Sequence, residues 1–235
     1  MNKEFEKKLK EVADLEKAKL LQRFFKTEKG EYDEGDVFLG IVVPELRKIA
    51  KEFCDLNLNE IQELLDSKIH EKRMIGLFIL IKKYDKADEL LKKQIFEFYI
   101  KSAKNNKINN WDLVDLSAPN IVGNYLIDKN RNVLYKLVIS SSLWEKRIAV
   151  LATFSFIREG DFSDSLKISK ILLGDKHDLI HKAVGWMLRE IGKRDVKVLE
   201  GFLKENYKIM PRTMLRYAIE KFPEEKRKSY LSGKV

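Results

Sequence analysis

His70-Glu71-Lys72-Arg73-Met74-Ile75-Gly76-Leu77 reads as the opening of a long helix, and the chain uses the pattern again. It returns 74 residues on as Trp144-Glu145-Lys146-Arg147-Ile148-Ala149-Val150-Leu151. A looser copy follows 36 residues after that, Ile180-His181-Lys182-Ala183-Val184-Gly185-Trp186-Met187. Since 74 is twice 37, one period accounts for all three. Each copy opens a helix that ends in a polar turn (Tyr84-Asp85, Gly160-Asp161, Arg194-Asp195), and a second amphipathic helix comes after it. Units of that length and content are helix pairs of the HEAT or armadillo kind, slightly short of the usual ~40–47 residues. The expected fold is all-α: a superhelical solenoid of HEAT-like antiparallel helix pairs, forming a single repeat domain over residues 1–235.

Upstream of the first copy, apolar residues from Phe5 to Phe25 recur at helical spacing and predict one helix over Glu4 to Lys26. Thr27 to Asp36, with Gly30 and Gly35, ends it, and Phe38-Leu39-Gly40-Ile41-Val42-Val43-Pro44 follows as a short apolar link. Pro44 suits the first turn of a helix over Glu45 to Phe53, and Asn57 or Asn59 caps a short helix reaching about Asp66. Beyond that, helices are predicted at about 70–84, 87–103, 110–127, 131–140, 144–159, 162–173, 178–193, 195–206, 211–221 and 223–231.

Composition narrows the function classes. The chain has 235 residues, 44% hydrophobic and 35% charged, enough to bury a sizeable core. No run approaches the roughly 18 apolar residues of a membrane helix, and the first residues read as a mixed-charge helix rather than a secretory leader. The expectation is a cytoplasmic protein without membrane contact. Cys54 is the single cysteine, so an intramolecular disulfide is excluded; its apolar neighbours read as core packing. A net charge of +9 fits a polyanionic partner, although Lys mixed with Glu along helices also makes an ordinary solvated surface.

A missing copy of the repeat should fall near residue 107, and there stands Asn109-Asn110-Trp111-Asp112-Leu113-Val114-Asp115-Leu116. It puts an indole and a carboxylate four residues apart on one helical face. Repeat register brings Trp111 with Asp115, Arg147, and Trp186 with Arg189 to one side of the array. Read as residues alone, the indoles are core aromatics at helical spacing, and Asp115 is a helix-surface charge or a local hydrogen-bonding group. Arg147 shares its repeat position with Arg73, which fits a structural role at the repeat junction. Trp144 opens its helix as His70 does and reads as packing.

Over essentially its whole length the chain resembles the AlkD-type DNA alkylation repair glycosylases, a family of HEAT-like repeat proteins. The resemblance lies in Phe38-Leu39-Gly40-Ile41 with Pro44-Glu45 and Arg47, then Trp111-Asp112 with Val114-Asp115, then Trp144 with Arg147 and Ala149, then Lys182-Ala183 with Gly185-Trp186 and Leu188-Arg189-Glu190. It implies hydrolysis of the N-glycosidic bond of cationic purines such as 3-methyladenine and 7-methylguanine in duplex DNA, leaving an abasic site. Asp115 matches the family's catalytic Asp, and Trp111 and Trp186 its two indoles on the deoxyribose. Arg147 matches a backbone-binding arginine, with Arg189 and Lys182 as further phosphate candidates.

The chemistry agrees with that assignment. An alkylated purine already carries positive charge and leaves without a general acid. Charge then develops on the sugar, where a fixed carboxylate stabilises it and can orient water. Indole faces favour a cationic neighbour in the same way. Glycosylases in general extrude the base into a pocket; the family instead grips backbone and sugar, consistent with the lack of a base-recognition motif here. No lysine is placed to form a Schiff base, so the expectation is a monofunctional enzyme, monomeric, with no metal and no cofactor. Alternatives from other classes are a non-catalytic HEAT-repeat DNA-binding protein and a protein-interaction scaffold.

Three further signals receive blander readings. His177 and His181 have the i, i+4 spacing of helical zinc ligands but no third ligand. Gly30 and Gly35 lack the context of a phosphate loop, although this loop could approach DNA. Met210 to Tyr217, basic and aromatic, reads as a capping helix, with phosphate contact as the alternative. Phe24-Phe25 replace an aromatic with a polar tip in some relatives, which leaves DNA contact by the N-terminal helix open.

Overall fold

The computed structural model describes residues 3–235. They form an all-α protein whose only β pairing, among the described residues, is an isolated bridge between Val37 and Ile69. Contacts divide the chain into two compact units, Met1–Leu113 and Val114–Val235. Among the described residues no helix is long and apolar enough to cross a membrane.

The first unit holds α1 (Lys3–Val12), α2 (Leu15–Phe24), α3 (Val43–Glu52), α4 (Leu58–Leu65), α5 (His70–Lys86) and α6 (Glu89–Lys104). The single N-terminal helix expected from periodicity is in fact two. Asp14 breaks it: its carboxylate accepts from the N–H groups of Glu16 and Lys17 at 3.1 and 3.0 Å, and its own N–H goes to Leu39 O at 2.9 Å. Helix α4 carries the expected Asn57 cap as a full capping box with Glu60. Helix α5 is the centre of the unit, packed on α3, α4 and α6 and buried at every position from His70 to Leu80. Cys54 is half-buried rather than a core residue.

A continuous helical run then spans the division between the units. It comprises α7 (Trp111–Ala118), a π-helical turn (Pro119–Gly123) and α8 (Asn124–Leu126). Pro119 has no N–H to donate, and its carbonyl accepts both the Asn124 N–H, five residues on as in a π turn, and the Ser155 hydroxyl at 2.7 Å.

The second unit continues with α9 (Asn132–Val138), α10 (Leu143–Arg158), α11 (Ser163–Ile171), α12 (Asp178–Arg194), α13 (Val196–Asn206), α14 (Arg212–Ala218) and α15 (Glu224–Ser232). Helices α10 and α12 are the central pair. Helix α10 packs on the π turn, α9, α11 and α12, while α12 packs on α10, α13 and α14. The opening helix of one repeat thus lies against that of the next, as stacked helix pairs require. Trp144 is buried at the start of α10.

Candidate active site and its supporting ion pairs

In the first unit, a buried ionic network holds the residues around Trp111. Asn110 donates its amide to Asp33, and Asn109 accepts from Arg73. Asp112 accepts from His70 Nε2 at 2.8 Å, while His70 Nδ1 lies 3.2 Å from Asp36 Oδ2, which also receives the Arg73 guanidinium. With a carboxylate at each ring nitrogen, His70 can donate from both only as an imidazolium. Burial opposes that charge, but the charge and hydrogen bond of Asp112 and the hydrogen bond of Asp36 outweigh it, pushing the pKa up to about 9. Burial, then the neighbouring Asp36 charge, push Asp33 up to about 8, so at neutral pH it is held as the acid.

His70 Nδ1 and the carboxylates of Asp33 and Asp36 lie within 4.8 Å of one another, a spacing that suits a metal ion. Arg73 already supplies the cation at Asp36, and an imidazolium has no lone pair to ligate.

Trp111 itself ends an aromatic stack. Its ring lies 5.2 Å from Phe25 at 12°, Phe25 lies 4.9 Å from Phe38 at 22°, and Phe38 lies 4.6 Å from the His70 ring at 23°. The indole is half-buried, and Phe24, 65% exposed, stands edge-on to it at 6.1 Å. Trp111 therefore has one face packed on the core, a partial version of the core-aromatic alternative.

In the second unit, Asp115 is gripped fork to fork. Arg147 Nε donates to one carboxylate oxygen and Nη2 to the other, both at 2.8 Å, and Nη1 donates to Leu179 O. Arg147 is 4% exposed and the Asp115 side chain 14%. The guanidinium expected at a DNA phosphate thus points inward, and a phosphate would have to compete with Asp115 for it. Trp186, half-buried on α12, donates Nε1–H to Glu190 at 3.2 Å and lies 6.0 Å from the Phe154 ring. Arg189 pairs with Glu220, and Lys182 with Asp178 at 2.7 Å.

The discounted histidines have local work. His177 Nδ1 accepts from the Leu179 N–H at 3.2 Å, capping α12, and His181 Nε2 donates to Asp175 O at 2.7 Å.

Two supports were not read from the sequence. The buried carboxylate of Glu71 accepts from the N–H groups of Leu39, Gly40 and Ile41 at 2.9, 2.8 and 3.3 Å. Gly40 makes this nest possible, since it has φ of +79° and a Cβ there would sit 2.0 Å from Asp14 O. The second is the inward turn of Asp33 and Asp36, both buried, from the loop that carries Gly30 and Gly35. A sequence signal existed for both: polar His70, Glu71 and Arg73 share a helical opening with an apolar run.

Fold and site together define an all-α protein of stacked helix pairs, with one carboxylate held in a buried arginine fork and half-buried indoles on two helices. The family model for "DNA alkylation repair enzyme" matches residues 5–222, and the chain belongs to that family. Its fold is similar to that of a predicted DNA alkylation repair enzyme from Enterococcus faecalis, at 15% identity and a TM-score of 0.69, covering 90% of this chain and 97% of that one. It is also similar to AlkD2 from Streptococcus mutans, at 16% identity and a TM-score of 0.56, covering 89% of this chain and 99% of that one. No curated protein matches the chain.

Proposed function

We propose that this DNA alkylation repair enzyme is a monofunctional glycosylase acting on cationic alkylated purines, such as 3-methyladenine and 7-methylguanine, in duplex DNA. The observation that carries the reading is the two-point clamp of Arg147 on Asp115. A clamped carboxylate does not reorganise as charge appears on the sugar, which is what electrostatic stabilisation demands. In the reaction, the C1′–N bond breaks with its electron pair going to the cationic purine, which leaves neutral. Water oxygen then bonds to C1′, and its proton passes to Asp115 or solvent. Arg147 acts here as the positioning residue for Asp115, and the indoles of Trp111 and Trp186 are assigned to the deoxyribose by the family resemblance.

A second reading, a DNA-binding protein without catalysis, is favoured by the same clamp, because both Asp115 oxygens already accept hydrogen bonds and the pair could be purely structural. Release of free 3-methyladenine and 7-methylguanine from methylated duplex, by wild type, Asp115→Asn and Trp186→Ala, separates the two. The proposal expects release by wild type and its loss by orders of magnitude in Asp115→Asn with DNA binding retained. Salt-sensitive duplex binding with no release of either base selects the second reading.

A further inference from the structure

We infer that the cleft among α12, α14 and α15 is a pocket for a DNA backbone phosphate, a contact separate from the proposed reaction centre. The inference rests on duplex DNA being the partner. The cleft is a cavity of about 410 Å³, lined by Lys182 on α12, Thr213 and Arg216 on α14, and Arg227 on α15. Two acids, Asp178 and Glu220, also line it, and both are already committed. Asp178 is held by Lys182 at 2.7 Å and by the Thr213 side chain; Glu220 is held by Arg189 and by Lys221 at 3.0 Å.

Two guanidinia are left over. Arg216 is exposed, with no hydrogen bond or ion pair to another residue, and Arg227 Nε is shut away from solvent with no hydrogen-bond partner. Buried donors are normally satisfied, so an unpartnered N–H at the wall of an open cleft points to a missing acceptor. Among the lining side chains, three cations (Lys182, Arg216 and Arg227) stand against two carboxylates. The missing acceptor is therefore anionic. Paired planar forks match the oxygens of a phosphodiester better than a single carboxylate.

The backbone fixes the cleft in place. A Cβ on Gly185 would lie 2.5 Å from Tyr217 Cβ and 2.6 Å from Met214 O, so α12 and α14 meet with no room for a side chain. Lys182 precedes Trp186 by four residues on α12, about one helical turn, or ~5.4 Å. A strand whose sugar rests on Trp186 would bring a neighbouring phosphate to this cleft.

The test measures affinity for an undamaged duplex across a salt series, comparing wild type with Arg216→Ala, Arg227→Ala and Lys228→Ala. Lys228 lies beside Arg227 in sequence, is not part of the cleft lining, and has a 74% exposed side chain paired to Glu224. Each cleft arginine removed should weaken binding roughly tenfold and lower the slope of log affinity against log salt by about one, and Lys228→Ala should do neither. Unchanged slopes in the arginine variants, with unchanged thermal unfolding, overturn the inference. So does an equal fall in Lys228→Ala, which would mean that bulk charge alone is being read. Base release from methylated duplex is followed in parallel. A slope change without base release keeps the pocket and sinks the glycosylase reading; base release with unchanged slopes does the reverse. No duplex binding by wild type sinks both.

Discussion

Arg73 and Arg147 occupy the same place in the repeat, and both are 4% exposed, yet their surroundings differ in kind. Arg73 enters a crowded network with Asp36, His70 and Asn109, which extends to Asp112 and Asp33 and contains two groups with displaced pKa values. Arg147 makes one two-point pair with Asp115 and one bond to the Leu179 carbonyl. A network with several exchangeable protons responds to pH and locks a segment from many directions. A single fork fixes one carboxylate and little else. The first arrangement suits holding the start of a helix, and the second suits presenting a charge.

The sharpest way to break that contrast is to neutralise each helix acid in turn. Asp115→Asn should slow base release by about 10²–10³-fold, or ~2.7–4 kcal/mol, under single-turnover conditions. Asp112→Asn should leave that rate near wild type and lower the melting temperature instead. Equal losses of rate would erase the distinction between presenting acid and anchoring acid.

Removing the arginines comes next. Arg147→Ala takes the two-point partner from a poorly exposed carboxylate, at an expected cost of about 3–5 kcal/mol in denaturant unfolding, while Arg73→Ala leaves Asp36 its contact with His70 and should cost less. Their pH signatures should separate them. The Arg147→Ala loss should be constant between pH 6 and 9, whereas the Arg73→Ala loss should vary with pH, because Asp36 touches His70.

The pH dependence of the wild type needs no substitution. His70 has a folded pKa of about 9 against an ordinary 6.5, so its stabilisation is complete below 6.5 and is lost as pH rises through 9. Asp33, raised from 3.8 to about 8, binds its proton more tightly when folded, so stability also declines from about pH 4 to 8 and then levels. Melting temperature should therefore fall between pH 6.5 and 9. His70→Gln should flatten that upper range, and Asp33→Asn the range below 8. A wild-type melting temperature independent of pH over this range would show that the network does not titrate as described.

Much of the molecule was legible in the residues because repeats and helices are local. The helix at His70 was expected to end near 84 and ends at Lys86; the one at Asp178 was expected to end near 193 and ends at Arg194. The break at Asp14 was missed because apolar spacing continues across it, and only the bond from Asp14 N–H to Leu39 O shows why the chain must turn there. Trp111 and Asp115 were found as a pair by helical spacing, and Arg147 by its repeat position. That Arg147 faces Asp115 could not be read so, because the partners are 32 residues apart and a side chain's direction depends on packing.

Sequence alone therefore determined the all-α class, the repeat period and the family, since these depend on periodicity and on ordered blocks of residue types. Tertiary structure decided which charges are spent on one another: Arg147 on Asp115, Glu71 on the Gly40 nest, and Asp33 and Asp36 on the network below Trp111. The physical reason is that burial makes an unpaired charge expensive, and its partner is whichever group the fold brings within reach, however far away along the chain.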